Sequence, residues 1–105
     1  MYLGQREKQA GEVRRVLIDY ASWLGDVERL AENTGEAFIQ RLDGGTIVVG
    51  LDLDIDGPFI LNERTAVAVY TKFGVPNVDY KLTIRAETDQ GQVREDEIIV
   101  QVRET

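Results

Sequence analysis

The fold is decided most clearly by residues 78–88, Val-Asp-Tyr-Lys-Leu-Thr-Ile-Arg-Ala-Glu-Thr, along which apolar and polar side chains alternate. Every second residue from Tyr80 to Ala86 is apolar, and the residues between them are charged or carry a hydroxyl group. This period of two is typical of a β-strand with one buried face. A short turn at residues 89–91 follows, and residues 92–104 resume the alternation. We therefore predict an antiparallel β-hairpin.

Three more segments have the composition of strands. They are residues 65–73, 47–55 and 37–42, and each is rich in aromatic or β-branched residues. The strand over residues 65–73 is expected to end at the turn Gly74-Val75-Pro76-Asn77, because proline cannot donate to a sheet ladder. Strands about ten residues apart and separated by such turns are typical of a β-sandwich. The predicted fold class is therefore an all-β, antiparallel β-sandwich.

The segment from residue 13 to residue 30 is ambiguous. Its apolar residues recur at steps of three and four, which is the spacing of an amphipathic helix. Against a helix, Gly25 interrupts the pattern and residues 16–20 have the composition of a strand. Periodicity alone slightly favours the helix, so both interpretations stay open at this point.

The composition excludes several classes of chemistry. The chain has 105 residues, no cysteine, no histidine and a net charge of −7. Its length suits one domain. Without cysteine or histidine there is no thiolate or imidazole ligand for zinc or an iron–sulfur cluster, and no Cys–His or Ser–His–Asp nucleophile. The sequence also lacks a glycine-rich phosphate-binding loop. We therefore predict a protein that is not an enzyme and uses no cofactor.

No secretory signal or membrane-spanning segment is predicted. The segment from Met1 to Lys8 has no apolar stretch of the kind that forms the centre of a signal peptide. The longest apolar run, residues 46–51, is strand-sized and far shorter than the roughly 18 residues of a spanning helix. We expect a protein that stays in the cytosol or leaves it by lysis or within an assembled particle, without contacting a membrane.

Charge is distributed unevenly along the chain. Residues 1–15 sum to +2, residues 16–63 to −8 and residues 64–105 to −1. A net negative chain is a poor candidate for general nucleic-acid binding. A basic leader before an acidic body suits docking onto a neighbouring protein surface, although an ordinary solvated chain end has the same pattern. The candidate partner-binding residues are the four bases of the leader, Arg6, Lys8, Arg14 and Arg15.

A group of acidic residues satisfies the spacing of an EF-hand calcium loop. It consists of Asp52, Asp54 and Asp56, followed by Gly57 and Glu63. An EF-hand loop lies between two helices, whereas both flanks here have the composition of strands. The favoured interpretation is an alternating strand that turns its aspartates to solvent and its leucines and isoleucine inward. A metal site formed by the three aspartates and Glu63 is the less favoured alternative.

Three residues are expected to have structural roles. Tyr80-Lys81-Leu82 has the spacing of the tyrosine corner of Ig-like domains. In that motif a tyrosine lies two residues before a core cysteine, and its hydroxyl forms a hydrogen bond with nearby backbone. Leu82 takes the cysteine position here, as expected for a sandwich without disulfides. Trp23 is expected to belong to the core, because aromatic residues on strand faces are mostly buried.

Several short segments together resemble a known family. They are Leu3 to Gln9, Glu12 to Asp26, Gly50-Leu51, Ile55-Asp56-Gly57, Ala66 to Val69, Asp79 to Ile84, Thr88 to Gly91 and Glu95 to Ile98. In their order and spacing they resemble the small Ig-like virion proteins of tailed phages, the fiber-tail adaptor protein family. The similarity covers most of the chain, and the closing hairpin carries the best part of it.

The resemblance implies a specific domain organisation. It implies an Ig-like or fibronectin-like antiparallel sandwich of about seven strands over residues 13–105, preceded by an extended N-terminal arm over residues 1–12. It also implies a strand, a tight turn near residues 22–25 and a second strand near Val27. This reverses the helical interpretation suggested by periodicity, and it accounts for Gly25.

The resemblance also implies a function. The chain would be a structural component of a tailed-bacteriophage virion, an adaptor that connects the tail or baseplate to a fibre or to neighbouring tail proteins. It would be present in several copies per particle, assembled in the host cytoplasm and located in the virion tail. The alternatives are a free-standing Ig-like binding module that depends on calcium or carbohydrate, and an unrelated α+β regulator with a true N-terminal helix.

Overall fold

The computed structural model describes residues 1–32 and 35–104, and this part of the chain consists of strands, turns and loops. The strands are β1 (Tyr2–Lys8), β2 (Arg14–Asp19), β3 (Glu36–Arg41), β4 (Asp54–Leu61), β5 (Ala66–Lys72), β6 (Asp79–Glu87) and β7 (Val93–Val102). None of the described residues belongs to a helix that could cross a membrane. The predicted all-β fold is confirmed, and the helical interpretation of residues 13–30 is wrong.

The strands form two sheets. The four-stranded sheet has the order β1-β7-β6-β3, and the three-stranded sheet has the order β2-β5-β4. Neighbouring strands are antiparallel except for β1, which runs parallel to β7. The core takes side chains from both sheets, among them Val16, Val69, Leu82 and Ile98. The predicted sandwich of about seven strands is confirmed, while its assignment to the Ig-like class stays a prediction.

The hairpin of β6 and β7 is the centre of the four-stranded sheet, as its alternation predicts. Leu82 lies opposite Ile98, and Tyr80 lies opposite Val100. These four side chains are almost completely buried. Their burial follows from the strand period of two, which places all four on the face that packs against the other sheet.

The turn after β5 depends on a glycine. Gly74 has a φ of +116°, a conformation that other residues rarely adopt. A Cβ atom at this position would lie 2.6 Å from a side-chain carbon of Val102. The chain can therefore make this turn against the end of β7 only because Gly74 has no side chain.

The prediction of a strand over residues 47–55 is wrong for most of its length, since β4 begins only at Asp54. Between β3 and β4 the chain turns back on itself, and Asp52 N–H donates to Val48 O over 3.0 Å. The side chain of Asp52 is buried and that of Leu51 is exposed, which is the reverse of the predicted alternation. Hydrogen bonds to the Asp52 carboxylate account for this reversal, as described below.

The N-terminal segment differs from the predicted extended arm. Tyr2–Lys8 forms β1, which lies along β7 and shares its backbone register from Gln5 to Lys8. The strand continues to pair at its end, where Arg103 N–H donates to Lys8 O over 2.8 Å. Pairing satisfies backbone groups at the edge of β7 that a free arm would leave to solvent. Residues 2–8 are therefore part of the sandwich.

The segment after β2 is only partly as the family resemblance implies. The tight turn near residues 22–25 is present, because Trp23 and Leu24 N–H groups both donate to Tyr20 O. The second strand expected near Val27 is absent from the described chain, where Leu30 instead forms an isolated bridge with Thr88.

Candidate functional site

An open cleft lies beside the end of β1 and the start of β2. Its volume is about 380 Å³, and we call it the N-terminal cleft; its lining residues are Gln5, Arg6, Glu7, Lys8, Gln9, Glu12 and Arg14. Three of the four predicted partner-binding bases, Arg6, Lys8 and Arg14, therefore lie together. With two glutamates in the same lining, the cleft has a small excess of positive charge.

The cleft is shaped by the connection between two strands that belong to different sheets. A turn brings the chain round after β1, where Glu12 N–H donates to Gln9 O over 3.1 Å. The start of β2 is fixed to β5, because the Thr71 hydroxyl donates to Arg14 O over 2.9 Å. The cleft thus sits on a backbone that is tied to both sheets.

Lys8 has a structural role that its place in the basic leader does not indicate. Its side chain is only 2% exposed, and its ammonium donates to Gln9 O over 2.7 Å and to Phe73 O over 2.6 Å. Burial lowers the pKa of Lys8, and the charge of Glu12 opposes this effect. Because the ammonium clamps β1 to the end of β5, the expected partner contact of Lys8 does not fit its position.

Arg6 and Arg14 keep their charges at the surface. Arg6 is exposed, and among the described residues its side chain donates only to the backbone oxygen of its neighbour Gln5, over 2.9 Å. Arg14 is exposed and lies 3.9 Å from the carboxylate of Glu12. An exposed ion pair of this length is weak and is easily exchanged for a stronger partner. Both guanidinium groups are thus free to meet acidic groups of another protein.

Arg15 lies apart from the cleft. Its position in β2 is opposite Tyr70 of β5, on the outer face of the three-stranded sheet. Side chains alternate along a strand, so consecutive residues Arg14 and Arg15 project to opposite faces. Arg15 is exposed and forms no ion pair with any residue that the structure describes.

The four acidic residues of the EF-hand spacing do not converge. Asp52 is buried in the loop before β4, whereas Asp54 and Asp56 are exposed on β4 and lie 3.8 and 3.4 Å from Lys72. Glu63 lies in the turn between β4 and β5. Among the described residues there is no group of three or more acidic side chains that could hold a metal ion. Of the predicted solvent-facing aspartates, only Asp54 and Asp56 face solvent.

The carboxylate of Asp52 organises the loop between β3 and β4. It accepts hydrogen bonds from the Tyr80 hydroxyl and the Val48 N–H, both over 2.6 Å, and from Arg41 over 3.1 Å. Burial opposes ionisation of this carboxyl, but the hydrogen bonds from Tyr80 and Val48 and the charge of Arg41 outweigh burial and lower its pKa. Arg41 also donates to Asp43 and lowers the pKa of Asp43 to about 2.

Tyr80 connects this loop to the turn after β5. Its hydroxyl donates to Asp52 and accepts a hydrogen bond from Val75 N–H over 3.0 Å. A tyrosine that bonds to backbone a few residues upstream has the geometry of a tyrosine corner. Burial raises the pKa of Tyr80, and the hydrogen bond to the Asp52 carboxylate raises it further. Leu82, two residues later, is fully buried.

Trp23 packs at the margin of the core. Its ring meets the Tyr20 ring edge to face, with 5.8 Å between the ring centroids. The guanidinium of Arg94 lies over both rings, and its Nε donates to Asp96 over 3.2 Å. The Tyr20 hydroxyl donates to the same buried carboxylate over 2.6 Å.

The loop between β3 and β4 also exposes apolar side chains from the segment predicted to be a strand. Val48, Val49 and Leu51 are 48%, 95% and 65% exposed. The signal for an exposed loop was present in the flanking glycines, Gly45 and Gly50. The β-branched residues of this segment led to the prediction of a strand, because an uncharged apolar run is also typical of a buried strand.

A known protein family matches most of the chain. Residues 8–101 match the family model described as Podophage GP4 fiber-tail adaptor protein gp77. The matched range begins at the last residue of β1 and runs into the end of β7. No curated protein matches the chain.

Proposed function

Because this chain belongs to the podophage GP4 fiber-tail adaptor family, we propose that it joins a fibre to the tail of the virion through protein–protein contacts. The family is one of structural virion components, in agreement with the resemblance noted in the sequence. A rigid sandwich suits this role, because it holds its surface residues in fixed relative positions without the need to move. The protein acts by complementarity of surfaces and carries out no chemical step.

The contact with the neighbouring protein is made at the N-terminal cleft. The observation that carries this assignment is the convergence of Arg6 and Arg14 on one cleft, where neither guanidinium has a strong partner among the described residues. The rest of the chain is acidic, so these two bases stand out against the field of the molecule. They would attract an acidic patch on a tail, baseplate or fibre protein and orient the encounter.

A double charge reversal tests the cleft. Arg6→Glu with Arg14→Glu is expected to reduce the amount of this protein in purified particles at least tenfold, because the cleft would then repel an acidic partner. The measurement is quantitative mass spectrometry of particles made in cells that supply only the variant. Arg64→Glu is the control for a charge reversal outside the cleft, since Arg64 is exposed in the turn between β4 and β5.

The result is interpretable only if the double variant folds, so its thermal melting is compared with that of the unchanged protein. A folded double variant that enters particles at the normal level would overturn the assignment of the cleft. In that case the adaptor function would stand and another surface would make the contact.

The protein is present in several copies per particle, is assembled in the host cytoplasm and remains in the virion tail. Its partners are other tail, baseplate or fibre proteins, and it contacts neither nucleic acid nor membrane. The net charge of −7 supports this, because phosphate backbones and anionic lipid surfaces repel such a chain.

A further inference from the structure

The outer face of the three-stranded sheet has an apolar centre that no other part of the described chain covers. We call it the β2-β5-β4 face, and its exposed central residues are Leu17, Phe59 and Tyr70, which surround the fully buried Ala68. Leu17, Phe59 and Tyr70 are 41%, 47% and 37% exposed. The rings of Phe59 and Tyr70 meet edge to face, with 5.9 Å between their centroids. Leu17 and Phe59 lie on either side of Ala68 in the sheet.

Opposite charges flank this apolar centre in a single cross-strand row. Arg15 of β2 and Asp56 of β4 both lie opposite Tyr70 of β5. Their backbones are two strand spacings apart, roughly 10 Å, with Tyr70 between them, and the structure shows no ion pair that joins the two described side chains. Arg15 has no ion pair among the described residues, and Asp56 has only a contact of 3.4 Å with Lys72. In this row the β2 end is thus basic and the β4 end acidic, while Asp19 lies farther along β2 on the same face.

This pattern is self-complementary. A two-fold axis parallel to β5, in the plane between two such faces, places β2 of one copy over β4 of the other and keeps each cross-strand row in register. Arg15 of the first copy then meets Asp56 of the second, and Asp56 of the first copy meets Arg15 of the second. Leu17 covers Phe59, and the two Tyr70 rings meet on the axis. We infer that the β2-β5-β4 face binds a second copy of this chain as a symmetric, face-to-face dimer.

Lys72 does not prevent this arrangement. It lies on β5, and the same axis places it opposite Lys72 of the second copy. Its ammonium is held between Asp54 and Asp56 of its own chain, at 3.8 and 3.4 Å. The two nearby carboxylates neutralise it, so the facing lysines repel each other only weakly.

The size of the face predicts the strength of the dimer. Three strands of about seven residues cover roughly 14 by 23 Å, or about 330 Å², which is less than half of the approximately 800 Å² per partner that stable complexes bury. We expect weak, reversible self-association in dilute solution. Several copies held side by side in one particle would strengthen it through their effective concentration. The solution test below does not depend on the proposed adaptor function.

Charge reversal and its complementation test the dimer. Sedimentation of the full chain over a range of concentrations up to about 1 mM should show monomer and dimer in exchange. Arg15→Asp places two aspartates together at both contacts, and Asp56→Arg places two arginines together. Each variant alone is expected to associate at least tenfold more weakly than the unchanged protein. An equimolar mixture of the two is expected to form a heterodimer, since both contacts then join opposite charges.

The mixture is the decisive sample, because a merely structural role of either residue would not restore association. Arg64→Asp is the control for net charge and should associate normally. An unchanged protein that stays monomeric at 1 mM overturns the inference. The inference is also overturned if the single variants associate normally, or if the mixture of folded variants associates no more strongly than each variant alone.

Discussion

Asp52→Ala is expected to lower the free energy of unfolding by about 3 kcal/mol or more, because it breaks a buried charged network. The substitution removes the acceptor for the Tyr80 hydroxyl, for Val48 N–H and for one arm of Arg41. A buried donor without an acceptor costs about 1–3 kcal/mol. The substitution would leave two such donors, the Tyr80 hydroxyl and the Val48 N–H. The measurement is chemical denaturation, with the midpoint and slope compared with those of the unchanged protein.

Two variants calibrate this result. Asp54→Ala removes a carboxylate two residues later in the chain, which is exposed and forms a long ion pair of 3.8 Å with Lys72. This variant should lower the free energy of unfolding by less than about 0.5 kcal/mol. Tyr80→Phe removes one donor to Asp52 and the acceptor for Val75 N–H, and it should fall between the two. Equal stability of the Asp52 and Asp54 variants would contradict the structural role of Asp52.

Deletion of residues 1–8 is expected to cost several kcal/mol and to promote aggregation, because it removes β1 from the edge of the four-stranded sheet. The backbone bonds between β1 and β7 contribute roughly 1 kcal/mol each. The clamp from Lys8 to Phe73 O is lost with them. The newly exposed edge of β7 is ten residues long and offers unpaired backbone groups to other chains. Denaturation midpoints and sedimentation of the truncated chain measure both effects.

A truncated chain that melts within a few degrees of the full chain, and stays monomeric, would contradict the place of β1 in the sandwich. The deletion is for the same reason a poor test of the N-terminal cleft. It would remove the cleft and destabilise the domain together, whereas the reversal of Arg6 and Arg14 leaves β1 in place.

The hairpin of β6 and β7 was predictable because its signal is local. Tyr80, Leu82 and Ile84 alternate with polar residues, and the turn after them contains a glycine. β1 gives no comparable signal. Its partner β7 lies more than 90 residues away in the chain, and parallel pairing of distant segments leaves no turn to be recognised. A long separation also hid the burial of Lys8, whose acceptor Phe73 O lies 65 residues later, directly after β5.

The loop before β4 shows a different failure. Leu51, Asp52 and Leu53 read as an alternating strand, but a carboxylate with three donors can be buried where a lone carboxylate cannot. Its donors come from β3, β6 and the loop itself, so no local pattern indicates it. By contrast, the separation of Arg14 from Arg15 follows from the strand character of β2 alone.

The most direct test of the adaptor function is the fibre content of particles assembled without this protein. Electron microscopy and the ratio of fibre to tail protein by mass spectrometry provide the measurement. We predict tails that are complete but carry no fibres, with fibres restored when the unchanged protein is supplied from a plasmid. Particles that carry the normal number of fibres in its absence would contradict the proposal that this protein joins the fibre to the tail.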